Sequence, residues 1–455
     1  MYSYTSRHFH IVHFFLLFTK LLMDSVKLIG TVYLIVLCCY LSTLIDVNQR
    51  EPSTFTERIS WIWPNNIKVN RDVVFDTSEM IRKAGYPVET HVITTEDGYL
   101  LTLHRIPGDN GSLPVLLQPG FLATSAIWIF LGKGKGLAYI LADHGYDVWL
   151  GNFRGNIYSR AHISLSPSNS TFWDFSLNEL GIYDLPTMIT YITNMRSQPL
   201  HTYIGISMGS TCFYIMATEH PEIAQMVKVM ISLAPTVFLN HMTSPIQYLF
   251  FLKDYKMIMG FFFHKFLLSN FVRSFLIYGS EQNILKDIYV NLFSILFGYD
   301  HEQFDYHLLP LILSHFPAGG SFNIGVHYIQ LFQSGKFRQY DYGRAKNILI
   351  YNSIEPPEYN LTNITIPIAL FYGPGDLLDN TMHIRRLYHL LPNVVDIYQV
   401  PWRNFNHVDF VVAKDAPKLV YERVLKIMRM ENSNNITSII KDECYALNLY
   451  NNGYD

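Results

Sequence analysis

The chain has 455 residues, enough for one large domain with an insertion or for two domains. Hydrophobic residues make up 49% and charged residues 16%, which excludes disorder throughout and permits a sizeable core. A net charge of −3 gives no basic field for nucleic acid, and four cysteines make neither a disulfide framework nor a zinc set.

Two apolar stretches come first, at 8–23 and 28–45. The second, LIGTVYLIVLCCYLSTLI, follows Lys27 and ends in small polar residues, the layout of a secretory signal peptide. Residues 1–48 are thus expected to be a signal peptide, with Met23 as an alternative start. The competing reading is a signal anchor, because about 18 apolar residues just span a bilayer. Both readings put the body of the chain in the secretory pathway, secreted or lysosomal. Five N-x-[S/T] acceptors, at Asn110, Asn169, Asn360, Asn363 and Asn435, fit that compartment. Residues 49–75 read as a polar lead segment.

From residue 76 the chain alternates. HVITTEDGYLLTLHRIP carries a hairpin signal at Glu96-Asp97-Gly98. PVLLQPG (114–120) is a buried-type strand stopped by Pro-Gly, and 136–145 is helical with Gly145 just past its end. Strands are predicted at 146–152, 201–205 and 227–235, with helices at 182–193 and 210–220. The alternation stops near Thr236. Residues 236–340 are rich in Phe, Tyr, Leu and Ile without a strand rhythm, and predict a helical insertion of about 100 residues. The rhythm resumes over 341–430, with strands at 366–373 and 394–401 and a helix at 416–430. Residues 431–455 form an Asn-rich tail. Short apolar strands alternating with helices predict an α/β fold, 76–235 plus 341–430, whose mostly parallel sheet is covered on both faces. Cys212 reads as a buried helix residue, with pairing to Cys444 left open.

YIGISMGS (203–210) places Ser207 in a G-x-S-x-G at a strand-to-helix junction. That junction exposes a nucleophile on a sharp turn, and the small residues let strand and helix pass closely. A serine hydroxyl needs a base. Asp376 follows a predicted strand in Gly373-Pro374-Gly375-Asp376. His407 lies between the last strand and the last helix. The chain order Ser207, Asp376, His407 is that of the α/β-hydrolase triad, in which His takes the Ser proton and Asp holds the imidazole. Asp379 is a rival acid, read here as an N-cap of the following helix. His383 and His389 fall within that helix. The oxyanion would be received by backbone N–H groups of Met208 and of Phe121, in the loop LLQPGFL. No metal site is expected, since His301-Glu302 lacks a second His at the zincin spacing. Nor does GKGKG match a phosphate loop. No cofactor is expected.

The stretches AGYPVETHVITTEDGYLLTLHRIP, LLQPGFLATSAIW, LADHGYDVWLGNFRGNIYSRAH, FWDFSLNELGIYDLP, YIGISMGS, SGKFRQYDYG, PPEYNLTNITIPIALFYGPGDLLDN and NHVDF together resemble the acid lipase family, the gastric and lysosomal acid lipases. Order and spacing agree from about residue 70 to 430. The resemblance implies an α/β-hydrolase core under a helical cap and hydrolysis of triacylglycerol or cholesteryl ester at a lipid–water interface. It carries the triad roles onto Ser207, Asp376 and His407 and the oxyanion roles onto Phe121 and Met208. The chain departs from the family at Ile206 and Met208, where His and Gln are usual, and at Pro119, where His is usual. Its cap also has no cysteine for a family-type disulfide. The alternative function is a hydrolase-fold protein that binds lipid without turning it over.

Overall fold

The computed structural model describes residues 75–250 and 283–431. The expected leader and lead segment, Cys444, Asn435 and the tail lie outside the described residues.

Among the described residues nine strands form one sheet in the order β1-β2-β4-β3-β6-β7-β8-β9, with β5 paired to β2. β1 (Glu89–Thr94) and β2 (Tyr99–Ile106) make the antiparallel edge. Their hairpin turns at Gly98, whose φ of +94° is available to glycine at no steric cost. β2 pairs antiparallel with β4 (Asp147–Leu150) and with β5 (Ala161–His162). From β4 onward every pairing is parallel. It runs through β3 (Pro114–Gln118), β6 (Leu200–Ile206), β7 (Val227–Leu233), β8 (Ile368–Tyr372) and β9 (Val394–Gln399).

The parallel strands are apolar on both faces because helices cover both. All seven residues of β6 are buried, as are all five of β3 and of β8. On one face, Ile204 and Ile206 join α2's Leu137 and Leu141 and, from the C-terminal helix, Val424 and Met428. On the other, Leu200 and Tyr203 pack with residues of α3, α4 and the helix after β8. Here α1 is Thr77–Lys83, α2 Leu137–Asp143, α3 Leu185–Arg196 and α4 Met208–Glu219. Cys212 is a free, fully buried thiol on α4.

Among the described residues, 236–340 add no strand to the sheet. They hold α5 (Asn283–Phe297), α6 (Leu309–His315) and α7 (Phe322–Ser334). The chain then returns through α8 (Arg344–Tyr351) to β8, α9 (Thr381–Leu390), β9 and α10 (Glu422–Glu431). One local reading is corrected here. The N-cap of α9 is Asn380, whose side chain accepts from the Met382 and His383 N–H groups, and not Asp379. α9 begins one residue later than the Asp379 reading requires, and Asp379 turns inward instead.

Candidate active site

The parallel strands end in register. Gln118 lies beside Gly205, Ile206 beside Leu233, Leu233 beside Phe371, and Tyr372 beside Gln399. Residues just past those ends therefore meet along one edge of the sheet, where ligands of open α/β sheets bind.

Ser207 is the residue between β6 and α4. Its φ of 53° and ψ of −118° lie outside the regions that L-residues favour, a strain of about 1–3 kcal/mol. Surrounding bonds hold it there. Its N–H donates to Leu233 O at 2.9 Å, and its carbonyl accepts from the Ser210 and Thr211 N–H groups at 2.9 and 3.1 Å. The two flanking glycines are sterically required. A Cβ on Gly205 would sit 2.7 Å from the Ser210 nitrogen, and one on Gly209 would sit 2.4 Å from Gln118 O. No real Cβ contact is that short, so strand and helix cross too closely for any side chain. The hydrogen bonds that Ser207 makes among the described residues are those of its backbone.

The loop after β3 lies against this turn. A Cβ built on Gly120 would be 3.3 Å from Ser207 Cβ and 3.7 Å from its Oγ. Phe121 follows directly. Met208 opens α4, where the first-turn N–H groups lack intrahelical acceptors and the helix dipole is positive. A small enclosed cavity adjoins both residues, lined also by Leu122, Phe153, Leu180 and Ile324. Another surface depression lies by Ile93 and Tyr191 at the β1 edge, and none of the predicted site residues lines it.

Asp376 and His407 come together from loops 31 residues apart. His407 Nδ1 donates to Asp376 Oδ2 at 2.7 Å, and both residues are buried. Asp376 Oδ1 accepts from the Leu378 and Asp379 N–H groups at 2.8 and 3.0 Å. Both carboxyl oxygens thus act as acceptors, which fixes the proton on His407 Nδ1 and leaves Nε2 with its lone pair. The two loops interlock through Gly373 and Gly375, where a Cβ would fall 2.2 Å from Phe405 O and 2.4 Å from Asn404 O.

The sequence reading missed two contributors. Phe297, the last residue of α5, stacks on the His407 ring with centroids 6.1 Å apart and planes 14° apart. Its carbonyl accepts from Leu377 N at 3.3 Å and His407 N at 3.5 Å, so one α5 residue touches both loops. No local signal marks Phe297, one of 31 phenylalanines. Asp379 is the other. It is fully buried, and neither carboxyl oxygen has a hydrogen-bond partner among the described residues. Burial first, and the Asp376 charge second, push its carboxyl well above the usual range, so Asp379 is the neutral acid of the pair. His383 Nδ1 lies 3.7 Å from Asp379 Oδ1, and its Nε2 accepts from His241 N at 3.0 Å. Burial holds His383 down at about 4, hence uncharged. His383 therefore belongs to the packing behind the site. Among the described residues no cluster of His, Cys, Asp and Glu is suited to hold a metal ion.

Residues 77–132 match the model of a partial α/β-hydrolase lipase region, and residues 114–395 match the α/β-hydrolase fold. Lipase 1 of Drosophila melanogaster is 37% identical over 79% of this chain and 81% of its own length. Human gastric triacylglycerol lipase is 37% identical over 78% of this chain and 92% of its own. Lysosomal acid lipase/cholesteryl ester hydrolase of Macaca fascicularis is 36% identical over 79% and 92%. The chain belongs to the acid lipase family of α/β-hydrolases. As a family member it is a carboxylic ester hydrolase. Together the two family matches run from α1 through the Ser207 turn to the start of β9. No helix among the described residues is long and apolar enough to cross a membrane.

Proposed function

We propose that this chain hydrolyses ester bonds of neutral lipids, triacylglycerol or cholesteryl ester, through an acyl-enzyme on Ser207. The observation that carries the reading is the 2.7 Å Asp376–His407 bond at the sheet edge where the Ser207 turn stands. His407 Nε2 takes the Ser207 proton as Oγ attacks the ester carbonyl. The tetrahedral oxyanion is received by the Phe121 and Met208 N–H groups, aided by the positive end of α4. Collapse breaks the ester C–O bond, and the imidazolium gives its proton to the departing alkoxide, releasing the alcohol. Water then attacks the acyl-enzyme, passing a proton to His407, and Ser207 leaves reprotonated as the fatty acid departs. Asp376 holds the ring tautomer throughout and stabilises the imidazolium.

The substrate class rests on the names of the relatives and on the apolar residues around Phe121 and Met208. We place α5, α6 and α7 as parts of a cap over the Ser207 turn. The secretory setting draws on the leader-like N-terminus and on Asn110, Asn169, Asn360 and Asn363, all exposed. The test is hydrolysis of triolein, a cholesteryl ester and a short-chain ester from acid to neutral pH. The wild type should turn over a long-chain neutral lipid, and Ser207→Ala should lose about 10⁴-fold or more. Equal activity in that variant would end the mechanism.

A further inference from the structure

A surface helix ordinarily buries its apolar stripe and presents its polar residues to water. α8 does the reverse. Of its eight residues only Asn347 is buried. The Asn347 amide is used up internally, donating to Asp341 Oδ1 and to the Ile354 carbonyl at 2.8 Å each and accepting from Tyr342 N at 2.9 Å. The aliphatic residues point outward. Leu349 is 85% exposed, and Ile348, Ile350 and Ile354 are 46%, 49% and 52% exposed. Three large aliphatic side chains held in water on α8, with Ile354 in the bend just after it, make an apolar ridge that calls for a partner.

The surroundings select the partner. Three acids lie nearby, and all three are engaged: Lys336 pairs with Glu358 at 2.8 Å, and Arg338 with Glu355 at 3.3 Å and Asp341 at 3.6 Å. Arg344 and Lys346 remain on α8 itself, both exposed, with no ion pair among the described residues; Lys346 sits over the Tyr342 ring at 4.4 Å. Tyr342 is bracketed by Tyr340 and Tyr351, with ring centroids at 4.8 and 6.1 Å. Aliphatic tips flanked by basic residues and tyrosines are the composition of a helix that lies in a lipid–water interface. Eight residues rise only about 12 Å, too short to cross a bilayer core of about 30 Å. The ridge is also mechanically tied to the candidate site. Gln330 on α7 exchanges hydrogen bonds with Asp341 at 2.8 and 2.9 Å, and Tyr328 on the same helix meets the Phe121 ring at 6.2 Å.

We propose that α8 and the bend after it are a lipid-surface anchor, inserting Ile348, Leu349, Ile350 and Ile354 into the interface while Arg344 and Lys346 meet anionic amphiphiles there. The fatty acid released by the hydrolysis proposed above is one such amphiphile, so the anchor gives that reading a place to act, and to that extent rests on it. The experiment uses the full chain in flotation with phosphatidylcholine vesicles containing oleate. Leu349→Glu/Ile350→Glu should weaken vesicle binding roughly tenfold or more while leaving turnover of a soluble short-chain ester unchanged. Leu349→Ser, a milder change, should give a smaller loss in the same direction and covers the case in which the double variant fails to fold. Equal flotation of wild type and folded variants would overturn the proposal. So would a wild type that does not float, or variants that change only the oligomeric state, which would mark a protein contact. Flotation reads binding without turnover. Absence of ester hydrolysis would therefore sink the enzyme mechanism and leave this comparison standing, with thermal melts in place of turnover as the check of folding.

Discussion

The two halves of the candidate site are built differently. The Ser207 turn is made by one strand and the helix that follows it, within a few residues of sequence. Its geometry is imposed by backbone crowding, with Gly205 and Gly209 in places where a Cβ would collide at 2.7 Å or less. The Asp376–His407 arm is assembled from two loops and capped by a third element, the end of α5. Its geometry is imposed by hydrogen bonds and ring stacking. The first half is rigid because it cannot be otherwise. The second is held by a network that can be altered one bond at a time, so its chemistry can be changed without unfolding the chain.

That difference predicts opposite responses to mutation. Within the Asp376–His407 arm, Asp376→Asn should cost activity heavily, a loss of about 10³–10⁴-fold in kcat. The Asn oxygen can still accept from Leu378 and Asp379 N–H, so the loop should hold, and the amide would then face His407 Nδ1 with the wrong polarity. Steady-state kinetics and a thermal melt on the same sample check both halves of the statement. A melt that collapses with the activity would show that the arm is structural as well. Gly209→Ala should do the reverse. The added Cβ meets a backbone carbonyl that cannot move aside, and the expected cost is about 3 kcal/mol of stability. Denaturant unfolding measures it, and a variant as stable as the wild type would contradict the crowding.

The smallest effect expected is on the pH dependence of stability. Burial lowers His104, His327 and His383 to about 4. Between that value and their ordinary value of about 6.5 the unfolded chain binds more protons than the folded one, so stability falls as pH drops through this window. Asp379 is raised, so the folded state there holds the extra proton. Its contribution is present below the ordinary carboxylate range and is lost as pH rises above it. The three histidines should therefore lower the melting temperature in acid, while Asp379 acts in the opposite sense. Asp379→Asn should raise it by a few degrees near neutrality and leave it unchanged in strong acid. A variant less stable than the wild type near neutrality would mean that the Asp379 carboxyl contributes a bond the described contacts lack.

Much of this architecture was legible in the sequence because it is local. The Glu96-Asp97-Gly98 turn, the apolar runs of β3, β6 and β8 and the G-x-S-x-G each carry a short-range signature. Asp376 and His407 were legible through order and position past strand ends, since a parallel sheet delivers those positions to one edge. Phe297 was not legible, because its role depends on where α5 ends in space. Asp379 was misread as a helix cap, because Asp and Asn at adjacent positions offer the same capping chemistry and only the backbone register decides between them. α8 escaped notice because RAKNILIY has too short a run for its periodicity to reveal that the buried residue is Asn347.

The central claim is that Ser207, His407 and Asp376 act as one unit. A fluorophosphonate probe tests it most directly, because the probe reacts only with a serine whose proton is removed by a positioned base. Peptide mass spectrometry of the labelled, folded chain should find one adduct, on Ser207, and His407→Ala should reduce its formation by orders of magnitude. An adduct elsewhere, no adduct at all, or undiminished labelling of Ser207 in the His407→Ala variant would contradict the account.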